Sequence, residues 1–432
     1  MNHKLQQKIT LFVTVVSLSM IMAGCGNSDA SGRADPVMAQ AEVSRDRSPQ
    51  VEPATVAELV AGNNDFAFAL YQAIRGPDGN LFYSPYSISA ALAMTYAGAR
   101  ENTARQMAET LHYDTVSPPE LHAAFNALDL DLTQADSTGD GAENFKLVVA
   151  NSLWGQVDYP FRAEFLALLA ENYGAGVRQV DFIDQQKREQ ARTAINDWVA
   201  EATADKIKDL IGRNHLSEDT RLVLANAIYF KADWEHPFLS GTKEAEFRLL
   251  NGQSVTVPLM SQRADRLYAE GEQYQLLEIP YKGGRMAMMV LLPAEGQFEA
   301  IEGQLDNQFL AQALDRLTMA DTRLYLPKFQ YQAELELAET LATLGMPDAF
   351  AAGQADFSGM DGRKDLFIAH AVHKSFIAVD EMGTEAAAAT GVVAEVESMP
   401  IMVRVDRPFL FFIRDLESGS VLFVGRVVNP VE

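Results

Sequence analysis

The sequence predicts an interleaved α+β fold, and three observations carry that reading. The chain has 432 residues, 48% of them hydrophobic, enough for a large core as one big domain or two ordinary ones. Helical spacing dominates as far as about residue 206, and short apolar runs separated by turns dominate after it. Residues 379–398 stand apart because they fit two structures. Read locally, Thr384 is a helix N-cap and Glu385–Ala389 a helical turn, since alanine is the best helix former. Read with period two, Thr384, Ala386, Ala388, Thr390, Val392, Ala394 and Val396 carry no charge, whereas Glu385, Glu395 and Glu397 fall on the odd positions. That alternation marks a strand with one buried face. β-like runs flank the stretch, Ser375–Val379 before and Ile401–Val405 after.

Taken in order, the chain opens with Lys4 and Lys8 ahead of an apolar run, Ile9–Met22, too short to span a membrane comfortably. The run ends in Met22-Ala-Gly-Cys25, which is similar to the lipobox of bacterial lipoproteins. By that resemblance residues 1–24 are a signal peptide and Cys25 takes the lipid. Gly26 stands where an Asp would retain the protein at an inner membrane. The resemblance therefore implies export, with an anchor in the cell envelope at an outer membrane or cell surface, or secretion. Cys25 is the single cysteine, so no intrachain disulfide forms. Residues 25–57 are expected to be the lipidated cysteine and a disordered tether, being rich in small and polar residues with almost no aromatics.

The folded domain is expected over residues 58–432. Asn63–Ile74 has Phe66, Leu70 and Ile74 on one helical face. Ser87–Ala97 is apolar nearly all round, hence a buried helix. Asn102–Leu111 and Leu121–Leu130 follow as helices, then Phe145–Trp154 as a strand and Phe161–Tyr173 and Gln190–Lys206 as helices. Thr220–Lys231 is a largely apolar run and reads as a central strand covered on both faces. Short strands are expected at Val255–Met260, Tyr274–Tyr281, Met286–Leu292 and Arg323–Phe329, and a helix at Leu335–Leu344. Phe409–Ile413 and Val421–Val428 form a hairpin around Ser418-Gly419.

The net charge of −24 argues against nucleic acid and other polyanions, whose recognition needs Lys and Arg. Catalytic motifs fail one by one. Ser240-Gly-Thr-Lys243 fits S-x-x-K, but the S-D-N and K-T-G partners of a serine hydrolase do not occur. Asp136–Gly141 suggests a calcium loop, yet its twelfth position is Leu147 and not a bidentate Glu. His370 and His373, three apart in a strand, point to opposite faces and cannot chelate together. No enzyme activity, metal or cofactor is expected.

The residues of the period-two stretch resemble the reactive-centre hinge of the serpins, the serine-protease-inhibitor family: Glu381, Gly383, Thr384 and Ala386–Ala389. The resemblance extends from about Val56 to the C-terminus. It includes Tyr83–Ser89, Asn226–Lys231, Trp234, His373 and Phe423–Pro430, in the family's order and spacing. It implies three sheets, about nine helices and a reactive-centre loop over about 381–400. It implies a monomer that traps a serine, or cysteine, endopeptidase: the protease cleaves the loop, and the loop inserts into the main sheet as a new strand. Ser84, Ser87, Asn226 and His373 carry over as a polar shutter beneath that sheet. Trp234, Lys328 and Glu381 carry over as the breach where the loop enters, with Glu381 paired to Lys328. Met382 departs from the family, which usually has a charge there; it precedes the inserting segment, so little effect is expected. In the family the scissile residue lies fourteen beyond the hinge glycine, which here is Glu397, so the reactive bond is Glu397–Ser398. A non-inhibitory binding protein is one alternative, but it favours a bulky or proline-bearing hinge, and this hinge has neither; a surface serine hydrolase using Ser240 and Lys243 is the other.

Overall fold

The computed structural model describes residues 36–76, 79–134, 145–213, 215–238, 241–384 and 399–432. The first half runs β1 (Val37–Ala39), α1 (Pro53–Ile74), β2 (Leu81–Tyr83), α2 (Pro85–Tyr96), α3 (Glu101–Leu111), α4 (Pro118–Gln134), β3 (Phe145–Gln156), α5 (Ala163–Tyr173), β4 (Val177–Val180) and α6 (Gln185–Ala202). Then come β5 (Leu222–Asp233), β6 (Lys243–Arg248), β7 (Ser254–Glu270), β8 (Tyr274–Pro280), β9 (Met286–Pro293), α7 (Phe298–Gln304) and α8 (Asn307–Leu314). The chain ends with β10 (Thr318–Pro327), β11 (Phe329–Glu336), α9 (Ala338–Leu344), α10 (Ser358–Asp361), β12 (Ile368–Val379), β13 (Gly383–Thr384), β14 (Ile401–Arg404), β15 (Phe409–Asp415) and β16 (Val421–Val427).

The first sheet has the order β1-β4-β3-β5-β13-β12-β11, and β5 also pairs directly with β12. The second has the order β14-β10-β7-β8-β9-β15-β16-β2, with β6 on β7. Three sheets were expected; two hydrogen-bonded networks are found because β7, 17 residues long, bridges them, pairing with β6 over Ser254–Leu259, with β10 over Leu259–Tyr268 and with β8 over Tyr268–Glu270.

The expected central strand is β5, with every residue from Leu222 to Phe230 buried. Its two faces meet different layers. Leu222, Leu224, Ile228, Phe230 and Ala232 join the main core with α2, whereas Val223, Ala225, Ala227 and Tyr229 join a second cluster with Ile195 and Val199 of α6. Helix α2 starts where Ser84 accepts a hydrogen bond from Ser87 N and Pro85 fills the first turn. It is buried along almost its whole length, as its sequence predicts.

The tether expected over 25–57 is corrected in its described part. β1 pairs antiparallel with β4, Val37 opposite Gln179. Arg45 Nε donates to Asn126 Oδ1 and Arg45 Nη2 to Asp129 Oδ2, each at 2.7 Å, and Asp46 N donates to Glu171 O at 2.8 Å. Helix α1 begins at Pro53, ten residues before the first expected helical residue, Asn63. Backbone edges and one arginine hold this segment, and composition reports neither. β4, β6, β11, α7 and α8 were also not expected.

Candidate functional site

β5 and β12 run parallel and pair from Leu222 with Ile368 to Tyr229 with Phe376. Beyond that the two strands part, and β13 occupies the gap. Thr384 pairs with Ala232 on one side and Val379 on the other, and Gly383 pairs with Asp233. The reversal from β12 into β13 is tight. Asp380 Oδ1 accepts from Met382 N at 2.8 Å and from Gly383 N at 3.3 Å, and Asp380 N donates to Gly383 O at 3.0 Å. An aspartate capping its own turn is a known solution for such a bend. At Gly383 a Cβ would stand 2.1 Å from the Ala232 carbonyl oxygen, so the close approach admits glycine alone.

Thr384 is 1% exposed, and its hydroxyl is 2.7 Å from Tyr281 Oη. This decides between the two readings of the stretch at its first residue. Thr384 is a strand residue and not a helix N-cap, and it is already turned inward in the intact chain and does not wait for the loop to insert. The physical reason is the pocket waiting for it. Tyr281 stacks on Trp234 with ring centroids 4.6 Å apart, and both are fully buried. Trp234 Nε1 donates to Asp380 O at 3.0 Å, and Trp234 N to Met382 O at 2.8 Å. Burial pushes the Tyr281 phenol well above its ordinary pKa, against the hydrogen bond to Thr384, so it stays neutral. Glu381 caps the arrangement. Lys328 Nζ donates to its Oε2 at 2.7 Å, Thr242 Oγ1 donates to its Oε1, and Phe238 N donates to its backbone oxygen at 2.7 Å. Burial opposes ionisation there, but the Lys328 and Thr242 hydrogen bonds hold the Glu381 carboxyl below its usual range.

Lower on the same seam a polar row crosses three strands. Asn226 of β5 is in register with Asn151 of β3 and His373 of β12. Burial pushes the His373 imidazole down to about 3, so it is neutral. Its Nε2 accepts from Ser84 N at 3.2 Å. Nδ1 therefore carries the proton and donates to Asn226 Oδ1. Asn226 Nδ2 then donates to Ser87 Oγ at 2.6 Å and to Asn151 Oδ1. The hydrogen bonds form one directed chain from α2 across the sheet. Beside it, Ser375 Oγ donates to Phe82 O at 2.6 Å. His370 stands on the opposite face, 3.3 Å from Glu336 and stacked on His215. Among the described residues no group of three or more His, Cys, Asp or Glu is placed to hold a metal ion.

A family model described as serpin, serine protease inhibitor, matches residues 61–430. The chain belongs to the serpin family. Bovine leukocyte elastase inhibitor is 41% identical over 387 residues, which cover 86% of this chain and all of that one. A serpin-like protein of Thermococcus kodakarensis is 40% identical over 378 residues, 86% of each chain. The native state of a thermophilic serpin, tengpin, superposes with a TM-score of 0.78 at 28% identity, covering 92% of this chain and all of tengpin.

The serpin structure brings Glu381, Gly383, Thr384, Trp234 and Lys328 together at one end of the seam, and Ser84, Ser87, Asn226 and His373 midway along it. Asn151, Tyr281, Thr242 and Asp380 belong to these groups and were missed. An asparagine inside the apolar run Val148–Leu153 was the available signal for Asn151, and an Asp before the hinge glycine for Asp380. Ala386, Ala388, the Glu397–Ser398 bond, Ser240 and Cys25 lie outside the described residues.

Proposed function

We propose that this serpin is an irreversible suicide-substrate inhibitor of serine endopeptidases that traps its target by adding the cleaved loop to the first sheet between β5 and β12. The register of β13 carries the reading. Continued antiparallel to β5 from Thr384 opposite Ala232, Ala386 meets Phe230, Ala388 meets Ile228, Thr390 meets Asn226, Val392 meets Leu224 and Ala394 meets Leu222. Those β5 positions, Asn226 apart, belong to the main core, so the uncharged face of the loop turns inward and Glu385 and Glu395 turn outward. The seam that must open is polar at its middle, where hydrogen bonds re-pair more readily than interlocked apolar side chains separate.

Glu397–Ser398 is the proposed reactive bond, and Glu397 suits a protease with an acid-accepting pocket. Val396 beside it suits an elastase-like enzyme, the class named in the bovine relative. Incubation with a panel containing an elastase and a glutamyl endopeptidase is expected to give an SDS-stable complex of serpin and protease. Cleavage without any stable complex would reject trapping and favour a binding protein.

The finer reading is an exported lipoprotein, supported by Lys4, Lys8, the apolar run Ile9–Met22 and Met22-Ala-Gly-Cys25. β1 pairs with Val177–Gln179 of β4, which lie beside Leu153–Gly155 of β3 and, beyond them, Leu222–Leu224 of β5, so the chain joins the sheet far from the hinge. The full-length protein is expected in the membrane fraction and Cys25→Ser in the soluble one; equal partition of both would remove the anchor.

A further inference from the structure

Tyr281 reaches the hinge from the second sheet. It follows β8 directly, and its backbone N donates to Met286 O, at the start of β9, at 2.9 Å. An isolated antiparallel bridge joins it to Trp234. Its ring is clamped from two sides. Phe230 of β5 meets it edge-on with centroids 5.2 Å apart and planes at 72°, and Trp234 lies flat on it with planes at 10°. Phe230 is held in turn by Phe423 of β16 at 5.7 Å. These rings are all buried, and close packing fixes where the phenol oxygen points. It points at Thr384.

The two hydroxyls form a closed pair. Both side chains are buried, and among the described residues each hydroxyl is the other's only hydrogen-bond partner. Such a pair is uneven in its energetics. With one hydroxyl removed, the other becomes a buried polar group without a partner, and departure of the hinge, which lets water reach it, is favoured. With both removed, two apolar surfaces of nearly the same shape meet, and little is lost. β13 is only two residues long, so one contact of this kind tips its position.

We propose that Tyr281 is a positioning residue for trapping: its hydroxyl latches Thr384 in the first sheet before cleavage and so sets what fraction of molecules begins insertion from a seated hinge. This rests on the inhibitory reading above. Tyr281 is buried and acts through Thr384, not by contact with the protease. By this latch the packing of the second sheet bears on how the loop enters the first.

The test uses Tyr281→Phe, Thr384→Val and the double variant. Hydrogen exchange of residues 380–384 in the intact chain reports seating directly. Wild type and the double variant are expected to be protected alike, and each single variant to exchange about tenfold faster. Trapping is measured with whichever of an elastase and a glutamyl endopeptidase forms the covalent complex with wild type. The ratio of complex to cleaved product is expected to fall about fivefold in each single variant and to return to the wild-type value in the double. Residues that only filled space would give the opposite order, with the double variant worse than either single. Melting temperatures close to wild type show that the fold is kept. An unchanged ratio in both single variants overturns the positioning role while leaving the inhibitor standing, and so does a double variant that is not rescued. A wild-type chain that forms no complex with either protease overturns the inhibitory reading and the positioning role with it.

Discussion

Thr384→Arg is expected to turn the inhibitor into a substrate. In the intact chain Thr384 is buried between Ala232 and Val379 with its hydroxyl on Tyr281. A guanidinium cannot be accommodated there without burying a charge that has no partner, at about several kcal/mol. The native fold can avoid that by lifting Gly383 and Thr384 out of the sheet, since only two residues of β13 are involved. Insertion cannot avoid it, because Thr384 must lie between the two strands for every later residue to follow. Acylation proceeds, insertion stalls, and deacylation wins. The ratio of covalent complex to cleaved product is expected to fall about a hundredfold, the equivalent of nearly 3 kcal/mol. Met382→Arg, two residues earlier and only partly buried, should keep the wild-type ratio, and Thr384→Ser, which preserves the hydroxyl, should stay close to it. Equal ratios for Thr384→Arg and Met382→Arg would mean that the seated hinge is irrelevant to trapping.

Cleavage of the intact protein anywhere between Val392 and Ser398 is expected to raise its melting temperature. The inserted strand adds a run of pairs from Phe230 to Leu222 on one side and a matching run along β12 on the other. At about 1 kcal/mol net per hydrogen bond, even half of these contribute roughly 10 kcal/mol, a shift of about 10–20 °C in a chain of this size. The β5–β12 pairs are given up in exchange, which is why half is the fair share to count. Calorimetry of intact and nicked protein makes the measurement. Superimposable transitions would show a sheet that does not accept the loop.

Much of the site was legible because its constraints are local or periodic. The apolar run that became β5 announces a strand covered on both faces, and the first of the uncharged even positions, Thr384, is buried in the sheet beside it. The pair of Glu381 with Lys328 followed from family landmarks. What escaped depends on long-range geometry. Whether Thr384 is seated is decided by Tyr281 and Trp234, 103 and 150 positions away in the sequence by their own numbering. Asn151 matters only because β3 lies in register beside Asn226. β1 has three residues and weak patterning, and it exists because β4 offers an open edge. β11 alternates buried and exposed from Phe329 to Glu336, yet the expected strand ended at Phe329 and a helix was expected from Leu335; the alternation carried further than the propensities suggested.

The seated hinge has a kinetic meaning as well. A strand joining a sheet behaves like a zip: the first pairs must close a loop against its entropy, and each later pair only extends an existing end. With Thr384 held on both sides by Val379 and Ala232, the first tooth is engaged before any protease arrives. Cutting the loop frees the far end, and no search for a starting register remains. What is left is propagation down β5 from Ala232 to Leu222, on the scale of elementary strand pairing, about 1–10 μs for a hairpin, slowed by the opening of the β5–β12 pairs ahead of it. The contest with deacylation is then set by how fast those pairs part, one at a time, from the top.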